Sequence, residues 1–207
     1  MESQPRGGTR WRRFGLVMVP SVAASAAIGV AIAQGALAAS FSVSGQEFKV
    51  SAGRLEGEGF VQYGTVVAPA GSESHEPVAV SAFDSAEITD LCQSVVIPGV
   101  PFLGEVTVKI TAGTDPDNPV TAENLFIDVS QLDADAVFTN IDIGVSVDDT
   151  TKGPDPSGNV LAGSFAQQAD SVTLTDIEQT AWATSAGTFR LSNLSLSLHD
   201  GKNECFE

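Results

Sequence analysis

The chain is 207 residues long, with 43% hydrophobic residues and 10 basic against 26 acidic side chains, a formal net charge of −16. So acidic a surface repels nucleic acid and bare anionic lipid headgroups, which excludes nucleic-acid partners. The length leaves room for one domain with a substantial core beyond any terminal segment, and too little for two.

The first 13 residues carry Arg6, Arg10, Arg12 and Arg13 against the single acid Glu2, the charge bias of a segment held on the cytoplasmic side of a membrane. No ionisable side chain follows from Phe14 to Phe41. Wound as a helix at about 1.5 Å per residue, that stretch exceeds the roughly 30 Å hydrocarbon core of a bilayer. Residues 14–39 are therefore expected to form a transmembrane helix. The alternative is a signal helix cleaved near Ala38, after the triplet Ala36-Leu37-Ala38; the run is longer than a signal peptide needs, which favours the anchor and a mature chain that keeps Met1 or Glu2. In both cases residues 40–207 are exported. Setting aside the four arginines and Glu2 leaves 6 basic and 25 acidic residues there, a net of −19.

Along the exported part apolar residues alternate with polar ones: Phe41/Val43, Phe48/Val50, Val78/Val80, Val106/Val108/Ile110, Leu125/Ile127/Val129, Ile141/Ile143/Val145/Val147, Val172/Leu174 and Leu194/Leu196/Leu198. Period two predicts half-buried strands. The stretches 64–77, 111–119 and 148–159 are rich in Gly, Pro, Asp and Ser and predict turns between them. No long helical pattern follows the N-terminal segment. The expected fold is all-β: an antiparallel barrel, sandwich or curled sheet with one buried face. An Ala-acid pair recurs just before alternating residues in "SAEITDL" (85–91), "TAENLFIDV" (121–129) and "QADSVTLTDI" (168–177), at spacings too unequal for a solenoid.

"VVIPGVPFL" (95–103) departs from alternation. Pro98 and Pro101 cannot donate into a central ladder, so the stretch is expected in a loop or at an edge. Its residues Val95, Val96, Ile97, Val100, Phe102 and Leu103 are either tucked under the domain or exposed as an apolar patch that meets lipid or a membrane partner. The chain has two cysteines, Cys92 and Cys205. In an oxidising compartment such a pair reads as one disulfide that ties mid-chain to the C-terminus.

Catalytic signatures are weak. No G-x-S-x-G elbow occurs, and the two histidines are His75, in the loop "GSESHEP", and His199, at the end of "LSLSLHD". Asp and Asn in "DPDNP" and "SVDD" lack the spacing of a Ca²⁺-binding EF-hand loop, and no glycine loop for phosphate is present. No catalytic residue, metal ligand or cofactor is assigned.

The segments "GALAASFSVSGQEFKVSA", "GFVQYG", "LCQSVVIP", "FTNIDIG", "FAQQAD", "QTAWATSAGTFRLSNL" and the terminal "ECF" resemble a family of actinobacterial envelope proteins, typified by Streptomyces, with an Arg-rich start and one N-terminal hydrophobic segment. The likeness covers nearly the whole chain and implies a shared fold and compartment. Some members carry the label cholesterol esterase, but the resemblance supplies no catalytic residues. The expectation is a membrane-anchored, extracytoplasmic β domain of the cell envelope that binds a lipid or other apolar ligand, or an envelope protein partner. A lipid or sterol ester hydrolase is the alternative.

Overall fold

Among the described residues of the computed structural model, 44–72, 74–158 and 160–207, nine strands run in one antiparallel sheet. The basic segment 1–13, the anchor or signal helix over 14–39, and the Phe41/Val43 pair lie outside the described residues. Within them, no helix is long and apolar enough to cross a membrane.

Four long strands dominate: β1 (Phe48–Val67), β2 (Glu76–Thr89), β5 (Val120–Thr139) and β7 (Phe165–Ser185). Each pairs with the next, and β7 turns back to pair with β1 as well as β5. Following cross-strand partners from Gln167 to Gln62, Ser81 and Ile127 leads back to β7 at Thr184, far along the strand from the start. The sheet therefore coils strongly about its interior, as right-handed strand twist drives it to. It is not a closed barrel, because β6 (Asp142–Ser146) and β9 (Ser195–Asp200) remain as free ends of the strand order. A wing of β3 (Leu91–Val100), β4 (Gly104–Ala112) and β9 extends from β1, and short β8 (Thr188–Arg190) pairs the start of β5.

Tight coiling needs small residues where strands crowd. Gly57, Ala86 and Ala122 stand side by side on β1, β2 and β5. A Cβ on Gly57 would overlap the Phe83 ring. Phe60 packs at 5.4 Å, centroid to centroid, against both Phe83 and Phe138. This row also explains the recurring Ala-acid pair: Ala86, Ala122 and Ala169 are all buried in the inner core, while Glu87, Glu123 and Asp170, one residue on, face the other way.

The expected single buried face is corrected to two. Inside the coil lies the core built on Phe60, Phe83, Leu125 and Val172. On the outside Val61, Tyr63, Val80 and Ala166 form a second cluster with Val147. The chain from Val147 to Gly158, and Val160, pass over this outer cluster and are clamped there: the Tyr63 hydroxyl receives a hydrogen bond from Ser157 N (2.9 Å), and the buried Gln168 carboxamide accepts from the Thr151 and Lys152 amides (2.7 and 3.0 Å). Lys152 Nζ reaches Asp142 (3.1 Å) and Asp170 (3.3 Å), which holds both carboxyls below their usual range chiefly through hydrogen bonding, from Lys152 and Gln168 in the first case and from Asn140 and Lys152 in the second.

The expected disulfide is present between Cys92 and Cys205. It fastens the C-terminal tail across the back of the wing, where Thr107 Oγ1 donates to Gly201 O (2.6 Å) and Ser94 Oγ accepts from Cys205 N (3.0 Å). Lys49 adds a contact to Glu204 (3.4 Å) and lies over the Phe206 ring.

Candidate functional site: an apolar cavity and its wing

The interior of the coil is incompletely filled. A cavity of about 260 Å³ lies among β1, β2, β3, β5, β7 and β8. Its wall is mostly apolar, and no charged side chain lines it. The opening follows from strand pairing: beyond Val129, β5 leaves β2 and pairs with β7 alone, so the sheet parts beside Leu132, Ala134 and Ala136, which line the cavity. An apolar void of this kind is normally dry and costs dispersion contacts unless something occupies it.

Two rows of polar side chains enter this apolar wall. One is self-satisfied: Gln167 Nε2 donates to Gln62 Oε1, and Gln62 Nε2 donates to Ser81 Oγ (2.8 Å), a ladder across three neighbouring strands. The other crosses β3, β1, β7 and β5 as Gln93, Val50, Gln179 and Leu132, each the direct cross-strand partner of the next. All four line the cavity. Gln179 is only 8% exposed, yet its carboxamide makes no hydrogen bond among the described residues.

The stretch expected in a loop or at an edge is part strand and part turn. Val95, Val96, Ile97 and Val100 belong to β3, while Phe102 and Leu103 form the turn to β4. Pro98 falls within the irregularity of pairing between Ile97 and Val100, and β1 pairs β3 only from Cys92 to Ser94, so beyond Ser94 this part of β3 has β4 on one side alone. The missing proline donor costs nothing at such an edge. Phe102 is fully exposed at φ 69°, and Leu103 and Ile97 are exposed as well. Alternation puts Val95 and Ile97 on the face of β3 that carries Leu91 and Gln93 into the cavity. Their partners Val108 and Val106, and beyond them Leu198 and Leu196, extend the same face across β4 and β9. Val96 points to the opposite side, near Phe48 and Trp182. Trp182 itself packs on Val67 and Val78 outside the cavity.

Ser197 Oγ and His199 Nε2 are 2.9 Å apart on β9. Residues two apart on a strand share a face, so the adjacent Asp200 points away from the imidazole. No carboxylate meets the other ring nitrogen among the described residues, and neither Ser197 nor His199 lines the cavity. Among the described residues no three His, Cys, Asp or Glu side chains gather as a metal site. The carboxyl shifts resolved upward are those of Asp84 and Asp128, both raised by burial. Neither lies in the cavity wall.

Sequence reasoning singled out the wing and the disulfide but not the cavity. Gln62, Gln93, Gln167 and Gln179 carry no such signal in the sequence, because the coil decides which faces turn inward.

The fold and its cavity define a class of protein: an all-β domain whose single coiled antiparallel sheet encloses an apolar space. More particularly, the chain belongs to a family of unknown function, DUF6230, whose model matches residues 44–206. No curated protein and no solved structure gives a significant match.

Proposed function

We propose that this domain binds an apolar ligand, a lipid chain, inside the coil, and does so at the outer side of a membrane to which the N-terminal segment tethers it in the actinobacterial cell envelope. The single observation that carries the reading is the uncharged, mostly apolar cavity of about 260 Å³ opening beside β5. Ligand sites have this composition, a predominantly apolar wall with a few placed polar groups. The apolar run Phe14–Phe41 and the four preceding arginines support the tether. Ile97, Phe102 and Leu103 support an approach to lipid, because they are exposed apolar side chains at the β3–β4 hairpin, and Val95 and Ile97 share the face of β3 that leads to the cavity wall. Ester hydrolysis has less support: the Ser197–His199 pair lacks an orienting carboxylate and stands apart from the cavity.

The test fills the space from its exposed side. Ala136 lines the cavity at the opening and is itself exposed, so Ala136→Trp adds bulk without overpacking the inner core. Titration of a fluorescent acyl probe should show saturable binding to the wild type and affinity at least about tenfold lower in the variant, with unchanged thermal stability. Equal binding by both proteins would place the probe elsewhere and remove the proposal.

A further inference from the structure

The two polar rows of the cavity differ in a way that specifies the ligand's head. Gln167, Gln62 and Ser81 satisfy one another, so that row asks nothing of a ligand. The Gln93–Val50–Gln179–Leu132 row lacks such closure: Gln179 is more than nine-tenths buried against the cavity with its carboxamide unpartnered, and Gln93, two strands away, also makes no side-chain hydrogen bond among the described residues. The Gln179 carboxamide keeps accessible surface in the cavity, so its donor and acceptor are open to a ligand there. Leu132, at the end of the row, is 37% exposed, so the row stands at the side where the cavity opens. Inward from it lie Phe60, Phe138 and Val172, suited to hydrocarbon.

We infer that this row is a headgroup subsite: Gln93 and Gln179 hydrogen-bond the uncharged hydroxyl, ester or amide head of a single-chain lipid whose tail runs inward. The inference rests on the proposed lipid-binding function and adds the chemistry of the head. A carboxamide both donates and accepts, which matches hydroxyl, ester and amide groups alike. An ionised fatty acid is disfavoured, because the cavity wall offers no cation and the exported part of the chain is strongly acidic. The satisfied ladder at Gln62 leaves the tail a wall with few free polar groups, so head and tail are assigned to different parts of one cavity.

The experiment titrates the full oxidised chain with hexan-1-ol, hexane and, at pH 8, hexanoate, and follows the methyl NMR signals of Leu125, Ile127 and Val172. Gln179→Met keeps the length of the side chain and removes its hydrogen-bonding groups. Hexanol should bind the variant about three- to tenfold more weakly, the range of one net hydrogen bond, while hexane binds it as well as or better than the wild type. The hexane result also certifies that the variant keeps its cavity. Hexanoate should bind the wild type at least about a hundredfold more weakly than hexanol. Hexanol and hexane affinities that move together in the variant, or hexanoate binding equal to hexanol, would overturn the subsite and leave the cavity as a site for hydrocarbon alone. Failure of hexane to bind the wild type would instead remove the proposed function, and the subsite with it.

Discussion

Asp128 shows how one residue can set a stability against pH. It lies half-buried on β5 opposite Val80 and Ala183, without an ion-pair partner among the described residues, and burial raises its carboxyl above the ordinary value of 3.8. A raised carboxyl means that the folded state disfavours the anion. The penalty is absent below about 3.8, where both states are protonated, and grows as pH rises through and above that value. Asp128→Asn should therefore raise the melting temperature at pH 7 and leave it nearly unchanged at pH 3. Differential scanning calorimetry at the two pH values checks this, and an equal shift at both would point to packing in place of ionisation. Glycine acts at the same scale through space: Gly57 is required because the Phe83 ring occupies the place of its missing side chain.

The C-terminal tail is the element whose behaviour follows most directly from its bonds. It is held by the disulfide, by Thr107 and Ser94, and by Lys49 over Phe206. A loop of roughly a hundred residues closed by a disulfide restrains the unfolded chain by about 4 kcal/mol in the chain-entropy account. Cys205→Ser should lower stability by about 2–4 kcal/mol in urea unfolding and expose the Asn203 and Cys205-position amides to hydrogen exchange. Stability unchanged within about 0.5 kcal/mol would show that the hydrogen bonds alone secure the tail. This bond was legible in the sequence, since two cysteines in a chain expected to be exported leave one pairing. The strands were legible wherever one face is buried: Leu125/Ile127/Val129 alternates because β5 turns those residues, and not Phe126 or Asp128 between them, into the inner core. The middle of β1 was not. Phe60 and Val61 are neighbours buried on opposite faces, and the outer burial depends on Val147 and Val160 arriving from far along the chain, a distant event that leaves no local period. Pro98 and Pro101 correctly marked a break in the ladder, but the same stretch forms strand up to Val100 because pairing on one side suffices.

At the scale of the whole molecule, the candidate site depends on coiling that no local pattern encodes. The cavity takes its wall from six strands, and its opening from the point where β5 leaves β2 and keeps β7 alone. Alternation could say that Gln62 and Gln167 differ in facing from Val61 and Ala166; it could not say which face the coil would enclose. The apolar patch at Ile97, Phe102 and Leu103 was legible as composition, and the sheet adds its direction, along β3 toward Leu91 and the cavity. The central claim is that this space holds a lipid. Native mass spectrometry of the full chain, taken from its own cells without added lipid and released gently into the gas phase, tests it most directly. The expected spectrum shows a one-to-one adduct whose organic extract contains an acyl chain, and the adduct is lost in Ala136→Trp. A bare protein mass from material never exposed to competing detergent, or an adduct that persists unchanged in Ala136→Trp, would contradict it.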